Sequence, residues 1–231
     1  MRIKILFLLL FSALSTFSQN VETDFDAPDS LFREDQFYFN ITYNTLQKRP
    51  DGLKQNKFSP GFSAGYLRDM PLNSARTFGI AAGLGYSLSV YNQNLGIFEN
   101  SSTTTYQILN AEGVAVSKDK LSLHCVDLPI EIRWRNATPE SHKFWRVHLG
   151  VKLSYLVASH YKLVSTEGNL VSRNLRDLND FHYGLYLTTG WNTWNIYAYY
   201  GLNPVFKSVA KIDGQSIDMN AANFGLMFYI L

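Results

Sequence analysis

Eight times along this chain, apolar side chains alternate with small or polar ones at every second residue. A period of two puts successive side chains on opposite faces of a strand, so each run predicts a strand with one apolar face. In the first run Phe37, Phe39, Ile41 and Tyr43 alternate with Tyr38, Asn40, Thr42 and Asn44. The others cover 58–67, 77–90, 126–135, 145–157, 181–188, 194–202 and 223–230. Most approach the ~9–11 residues that a tilted strand needs to cross a bilayer.

The connections carry a second pattern. They are medium at 47–57, short at 70–76, long at 92–120, short at 136–142, long at 160–180, very short at 192–193 and long at 203–222. Alternating lengths fit an all-β, eight-stranded antiparallel transmembrane barrel, with short periplasmic turns on one rim and longer outer loops on the other. Both termini then fall on the periplasmic side. The 92–120 and 160–180 loops are polar, are expected to be partly disordered, and are the expected sites of outer-surface contacts. The apolar segment Gly225-Leu226-Met227-Phe228-Tyr229-Ile230-Leu231 is expected to close the barrel against 37–46, leaving no open edge.

Composition decides which face meets lipid. Aromatic residues make up 15% and charged residues only 17% of the chain. A soluble ligand-binding barrel would turn its apolar set inward and carry Lys and Glu outward along every strand. Here the second set is rich in Gly, Ser, Thr and Asn, with its charges concentrated on two adjacent strands, which suits a narrow lumen filled by its own side chains.

Residues 1–18 have the layout of a secretory signal: Arg2 and Lys4, then an apolar run from 5 to 11, then Thr16 and Ser18 before a cut ahead of Gln19. That run is too short to span a bilayer as a helix, and no other segment reaches ~18 consecutive apolar residues. Residues 19–35 read as an acidic periplasmic leader and 36–231 as the barrel. Losing Arg2 and Lys4 brings the 21 basic residues level with the 19 acidic ones. Equal charge argues against a nucleic-acid partner. The only cysteine, Cys125, allows no intrachain disulfide.

The candidate site is a polar cluster in the lumen. Glu131, Arg133 and Arg135 share one face of the fourth strand, and Arg146, His148 and Lys152 share one face of the fifth. Paired across adjacent strands, they predict a buried ion-pair plug, the alternative being a binding patch or conduction path. His124, His142, His148, His160 and His182 lack metal-ligand spacing, so no metal or cofactor is expected. A Ser-His-Asp hydrolase acting on lipid is the enzymatic alternative, but no Ser sits in a G-x-S-x-G setting. No catalytic residue and no small-molecule substrate are expected. Gly79, Gly83 and Gly85 imitate a phosphate-binding run, yet they share one strand face with no helix to follow, and close lumen packing explains them better. Pro60 and Pro129 are expected to mark bulges or strand ends. The opposite parity of Leu121 and Leu123 predicts a bulge near Cys125.

Several segments resemble the PorT family of Bacteroidetes outer-membrane barrels. These are Arg68-Asp69-Met70-Pro71, Leu128-Pro129-Ile130-Glu131-Ile132-Arg133-Trp134-Arg135, Phe144-Trp145-Arg146-Val147, Tyr197-Ala198-Tyr199-Tyr200-Gly201-Leu202-Asn203-Pro204 and Phe228-Tyr229-Ile230-Leu231. The resemblance runs from about Glu34 onward. It implies a non-catalytic accessory or assembly role in type IX protein secretion and gliding motility. The implied partners are outer-membrane lipid and other secretion-system proteins.

Overall fold

The computed structural model describes residues 35–55, 57–73, 75–100, 103–109, 116–136, 145–166 and 168–230. The signal, nearly all of the leader, and most of the 136–142 turn lie outside them. Among the described residues the chain forms β1 (Gln36–Gln47), β2 (Pro60–Pro71), β3 (Phe78–Asn92), β4 (Leu95–Glu99), β5 (Thr104–Ile108), β6 (Val116–Arg135) and β7 (Trp145–Ser165). There follow β8 (Gly168–Arg173), β9 (Phe181–Trp191), β10 (Trp194–Pro204), β11 (Lys211–Ile212), β12 (Gln215–Ser216) and β13 (Asn220–Ile230).

Eight of these strands close a barrel in the order β1-β2-β3-β6-β7-β9-β10-β13, every pair antiparallel. Closure is made by β13 against β1, in unbroken register from Phe37 opposite Ile230 to Gln47 opposite Asn220. Each of these eight strands therefore has a neighbour on both sides, the condition for backbone to cross hydrocarbon.

The two faces separate cleanly. On β1 the outward Phe37, Phe39, Ile41 and Tyr43 are 41–56% exposed, whereas Tyr38, Asn40, Thr42 and Asn44 are at most 7% exposed. The outward apolar face continues around the barrel through Leu84, Ile132, Leu149, Leu187, Ile196 and Phe224. All four tryptophans (Trp134, Trp145, Trp191 and Trp194) are exposed beside the short connections. There Trp145 packs edge-on to Trp191 at 5.7 Å and Trp194 to Phe228 at 4.9 Å. Such a collar suits the lipid–water interface, where an amphipathic ring meets both phases.

Three local expectations are refined. The bulge near Cys125 exists, but its extra residue is Val157 on β7: His124 faces Ala158, and Cys125 faces Leu156. Leu121 and Leu123 keep the inward parity of Cys125 and Asp127, so their apolar character has another cause, taken up below. Pro60 begins β2. Pro129 produces no register shift; the β3–β6 ladder is simply interrupted between Gly85–Asp127 and Ala82–Ile130. Proline has no N–H to give.

Where they are described, the long connections are folded rather than simple polar loops. β4 and β5 form a hairpin, β8 pairs with the upper part of β7, and β11 and β12 form a second hairpin. β6 and β7 reach 20 and 21 residues, about twice the length that crossing hydrocarbon needs.

Candidate functional site

The interior is built in layers. Nearest the short connections, Glu131, Arg133 and Arg135 of β6 and Arg146 and His148 of β7 are all buried. Cross-strand register puts Arg135 opposite Arg146, Arg133 opposite His148 and Glu131 opposite Gly150. Arg135 and Arg146 would repel each other if left alone, and Arg133 beside them adds a third buried cation. Their neutralisation comes partly from a residue the sequence reading missed. Asp69, buried on β2, accepts from Arg133 Nη1 at 3.1 Å and from Arg135 Nη1 at 2.9 Å. Arg133 Nε also donates to Glu131 Oε1 at 2.7 Å.

The second oxygen of Glu131 accepts from the hydroxyl of Tyr186 at 2.7 Å. Tyr186 belongs to β9 and reaches β6 by lying across β7 at Gly150, where a Cβ would collide with its ring. Tyr38 crosses Gly65 and Gly85 in the same way, and a Cβ at Gly85 would meet its hydroxyl. These glycines make room for rings that fill the lumen. The packing reading of Gly85 therefore holds.

His148 shares a hydrogen bond with Tyr229 at 3.2 Å and stands 3.4 Å from Glu131. The Arg146 guanidinium stacks 5.5 Å from the Tyr229 ring centre. Lys152 sits higher, 3.7 Å from Asp127 and 4.3 Å from the ring centre of Tyr199. The structure thus brings five of the six candidate residues together and sets Lys152 one layer above, with Asp127 as its own counter-ion. Asp127 shares inward parity with Glu131 and could have been read from that pattern. Asp69 lies two residues past the end of the run read from sequence, on the same parity.

Above Lys152 is a small cavity of about 40 Å³, bordered by Ser87, Cys125, Ser154, His182, Tyr199 and Asn223 among others. That is room for one or a few waters between mixed polar and apolar walls. Among the described residues no group of three His, Cys, Asp or Glu side chains is placed to hold a metal ion. His124 and His160 lie on the upper strands away from the network, His182 borders the cavity, and His142 is outside the described residues.

The top layer is an apolar cap. Leu46, Tyr91, Leu121, Leu123, Tyr161 and Leu163 turn inward at the upper strand ends and pack with Leu95, Ile97, Leu178, Phe206, Ile217 and Met219 from the long connections. Asn179 ties two connections together, donating from Nδ2 to the carbonyls of Pro204 at 2.8 Å and Phe206 at 3.0 Å. The Tyr106 hydroxyl on β5 donates to Asp177 at 2.9 Å, and its ring meets Phe206 edge-on at 5.8 Å. Burial first, then the bond to Asp177, raises the Tyr106 pKa above the ordinary phenol value, keeping it a donor. Apart from the parity of Leu121 and Leu123, the sequence carries no sign of this cap, because most of its residues come from separate connections without periodicity.

A closed antiparallel barrel with lipid-suited residues outside and an ionic interior is a transmembrane β-barrel. Among the described residues no helix is long and apolar enough to cross a membrane. The family model for the outer membrane protein beta-barrel domain matches residues 17–207, and the chain belongs to that family. No curated protein matched the sequence. The family match ends before β13, which the register nonetheless places as the closing strand.

Proposed function

We propose that this outer-membrane barrel is a non-catalytic accessory or assembly component of type IX protein secretion in a Bacteroidetes cell. The short rim and both termini face the periplasm in this reading. The resemblance of its Trp/Arg and Gly-Leu-Asn-Pro segments to the PorT family supports the assignment. The observation that carries the mode of action is the filled interior. An eight-stranded lumen is narrow to begin with, and here ion pairs, tyrosines and an apolar cap occupy it in turn. Such a barrel works through its rims and folded connections, contacting other secretion-system proteins, rather than by conducting cargo.

The test is deletion in the native host, followed by measurement of type IX cargo in the medium. Loss of secretion, restored by the intact gene, is expected. Normal secretion overturns the functional assignment and leaves the barrel untouched.

A further inference from the structure

Where β6, β7 and β8 rise above the apolar belt, their outward face carries a cluster of basic residues. Lys120 stands directly opposite Lys162, and His160 directly opposite Arg173. His124 lies on the same face of β6, two residues below Ser122, which faces His160. Its ring contacts the hydroxyl of Tyr86, an outward residue of β3. Like charges directly opposite one another on a sheet destabilise it. Among the described residues no ion pair joins a carboxylate to Lys120, Lys162 or Arg173. The nearest acid on β6, Asp119, has the opposite parity and is buried inward. His160 reports the crowding: burial first, and then Arg173, Lys120, Lys162 and His124, lower its pKa.

The height of this patch is fixed by its neighbours. Val126 on β6 and Tyr155 and Val157 on β7 are the last exposed apolar residues of those two strands, although Val171 of β8, opposite Lys162, is exposed higher up. His124 is two residues beyond Val126 along β6, and Lys120 four residues further; on strands tilted by about 40° the patch therefore begins about 5 Å above the belt and extends about 10 Å higher. The headgroup layer occupies about 5–8 Å outside the hydrocarbon, the level of His124, and the long Lys and Arg side chains reach down toward it from above.

We infer that Lys120, Lys162, Arg173 and the two histidines form an exterior site for a phosphorylated lipid headgroup, whose acyl chains lie against Val126, Tyr155 and Val157. Ammonium and guanidinium groups supply charge-assisted donors to the phosphate oxygens, and the guanidinium can do so bidentately. An anion between the facing cations also removes the cross-strand repulsion. The site follows from the barrel's place in a membrane and is independent of any role in secretion.

The test uses the full chain refolded in a neutral detergent, with Lys120→Gln, Lys162→Gln and Arg173→Gln combined. Native mass spectrometry reads binding of dihexanoyl phosphatidic acid, with dihexanoyl phosphatidylcholine and inorganic phosphate as comparison probes. Binding of phosphatidic acid should weaken about tenfold or more in the triple variant, with phosphatidylcholine unaffected. Equal affinity in both proteins overturns the site. Displacement of the lipid by equimolar inorganic phosphate overturns the lipid assignment in favour of a soluble anion. If the triple variant does not refold, the wild-type salt response decides. Phosphatidic acid binding should fall steeply between about 50 and about 500 mM salt, and a flat response overturns the proposal.

Discussion

The lower and upper halves of this barrel are filled by opposite chemistry. Near the short connections the interior is ionic, with Asp69, Glu131, Arg133, Arg135 and Arg146 buried together. Near the long connections it is apolar, with Leu46, Tyr91, Leu121, Leu163, Phe206 and Ile217 in one cluster. The exterior changes in the reverse sense, from Ile132 and Leu128 below to Lys120 and Lys162 above. Surrounding solvent accounts for the inversion. Where lipid covers the wall there is no hydrophobic gain in hiding apolar groups, and the polar set is driven inward; where water covers it, apolar burial is again the main stabilising term. On β6 the exchange occurs between Leu123 and Val126, beside the β7 bulge.

The comparison is broken most severely by removing a shared counter-ion. Asp69 serves both Arg133 and Arg135. Asp69→Ala takes a shared carboxylate from two buried guanidiniums, a loss on the order of 3–5 kcal/mol. Urea titration of the barrel in lipid vesicles measures this. A loss under about 1 kcal/mol would mean the lower half is held by its tyrosines and strand ladders instead.

A cap substitution should behave differently. Leu178 is fully buried and bridges to Phe206, tying the β8–β9 connection to the β10–β13 connection. Leu178→Ala is expected to cost about 2–3 kcal/mol, and to release the cap ahead of the wall, since connections can open as a unit of their own. Limited proteolysis should cut the long connections faster while the heat-modified gel mobility of the barrel stays unchanged. Simultaneous loss of both would show that cap and barrel are one cooperative unit.

The same contrast explains what sequence could and could not disclose. Strand period, closure of β13 on β1 and the inward set on β6 and β7 all follow from two-residue alternation, because a barrel wall repeats one rule along each strand. Asp69 escaped because the apolar alternation on β2 weakens at Leu67, although its parity is that of the lumen. Tyr186 was legible as a lumen residue, but its hydrogen bond to Glu131 two strands away depends on Gly150 of the intervening strand. The cap was illegible for a deeper reason. Its members, such as Leu53, Ile97, Leu175 and Ile217, sit singly in separate connections and become a core only once the strands bring them to one mouth. Leu121 and Leu123 were the one visible trace. Their parity marks the change of solvent on β6 rather than a bulge on that strand.

The smallest effect sharpens the boundary between the halves. Asp119 lies on the inward face at the cap, and burial pushes its pKa up to about 8. A carboxyl whose pKa is raised on folding costs nothing below its unfolded value. Its penalty grows as pH rises from about 4 toward 8, because the unfolded chain gives up the proton first. Asp119→Asn holds the neutral form at every pH. Wild type and variant should therefore unfold together at about pH 4, and the variant should gain on the wild type up to about pH 9. Local opening of the cap limits the penalty, so the expected separation is about 2–4 °C in Tm, the equivalent of roughly 1 kcal/mol in a chain of this size. Circular dichroism melts at several pH values measure it. A separation that does not change with pH would mean water reaches Asp119 and that the apolar filling stops short of β6.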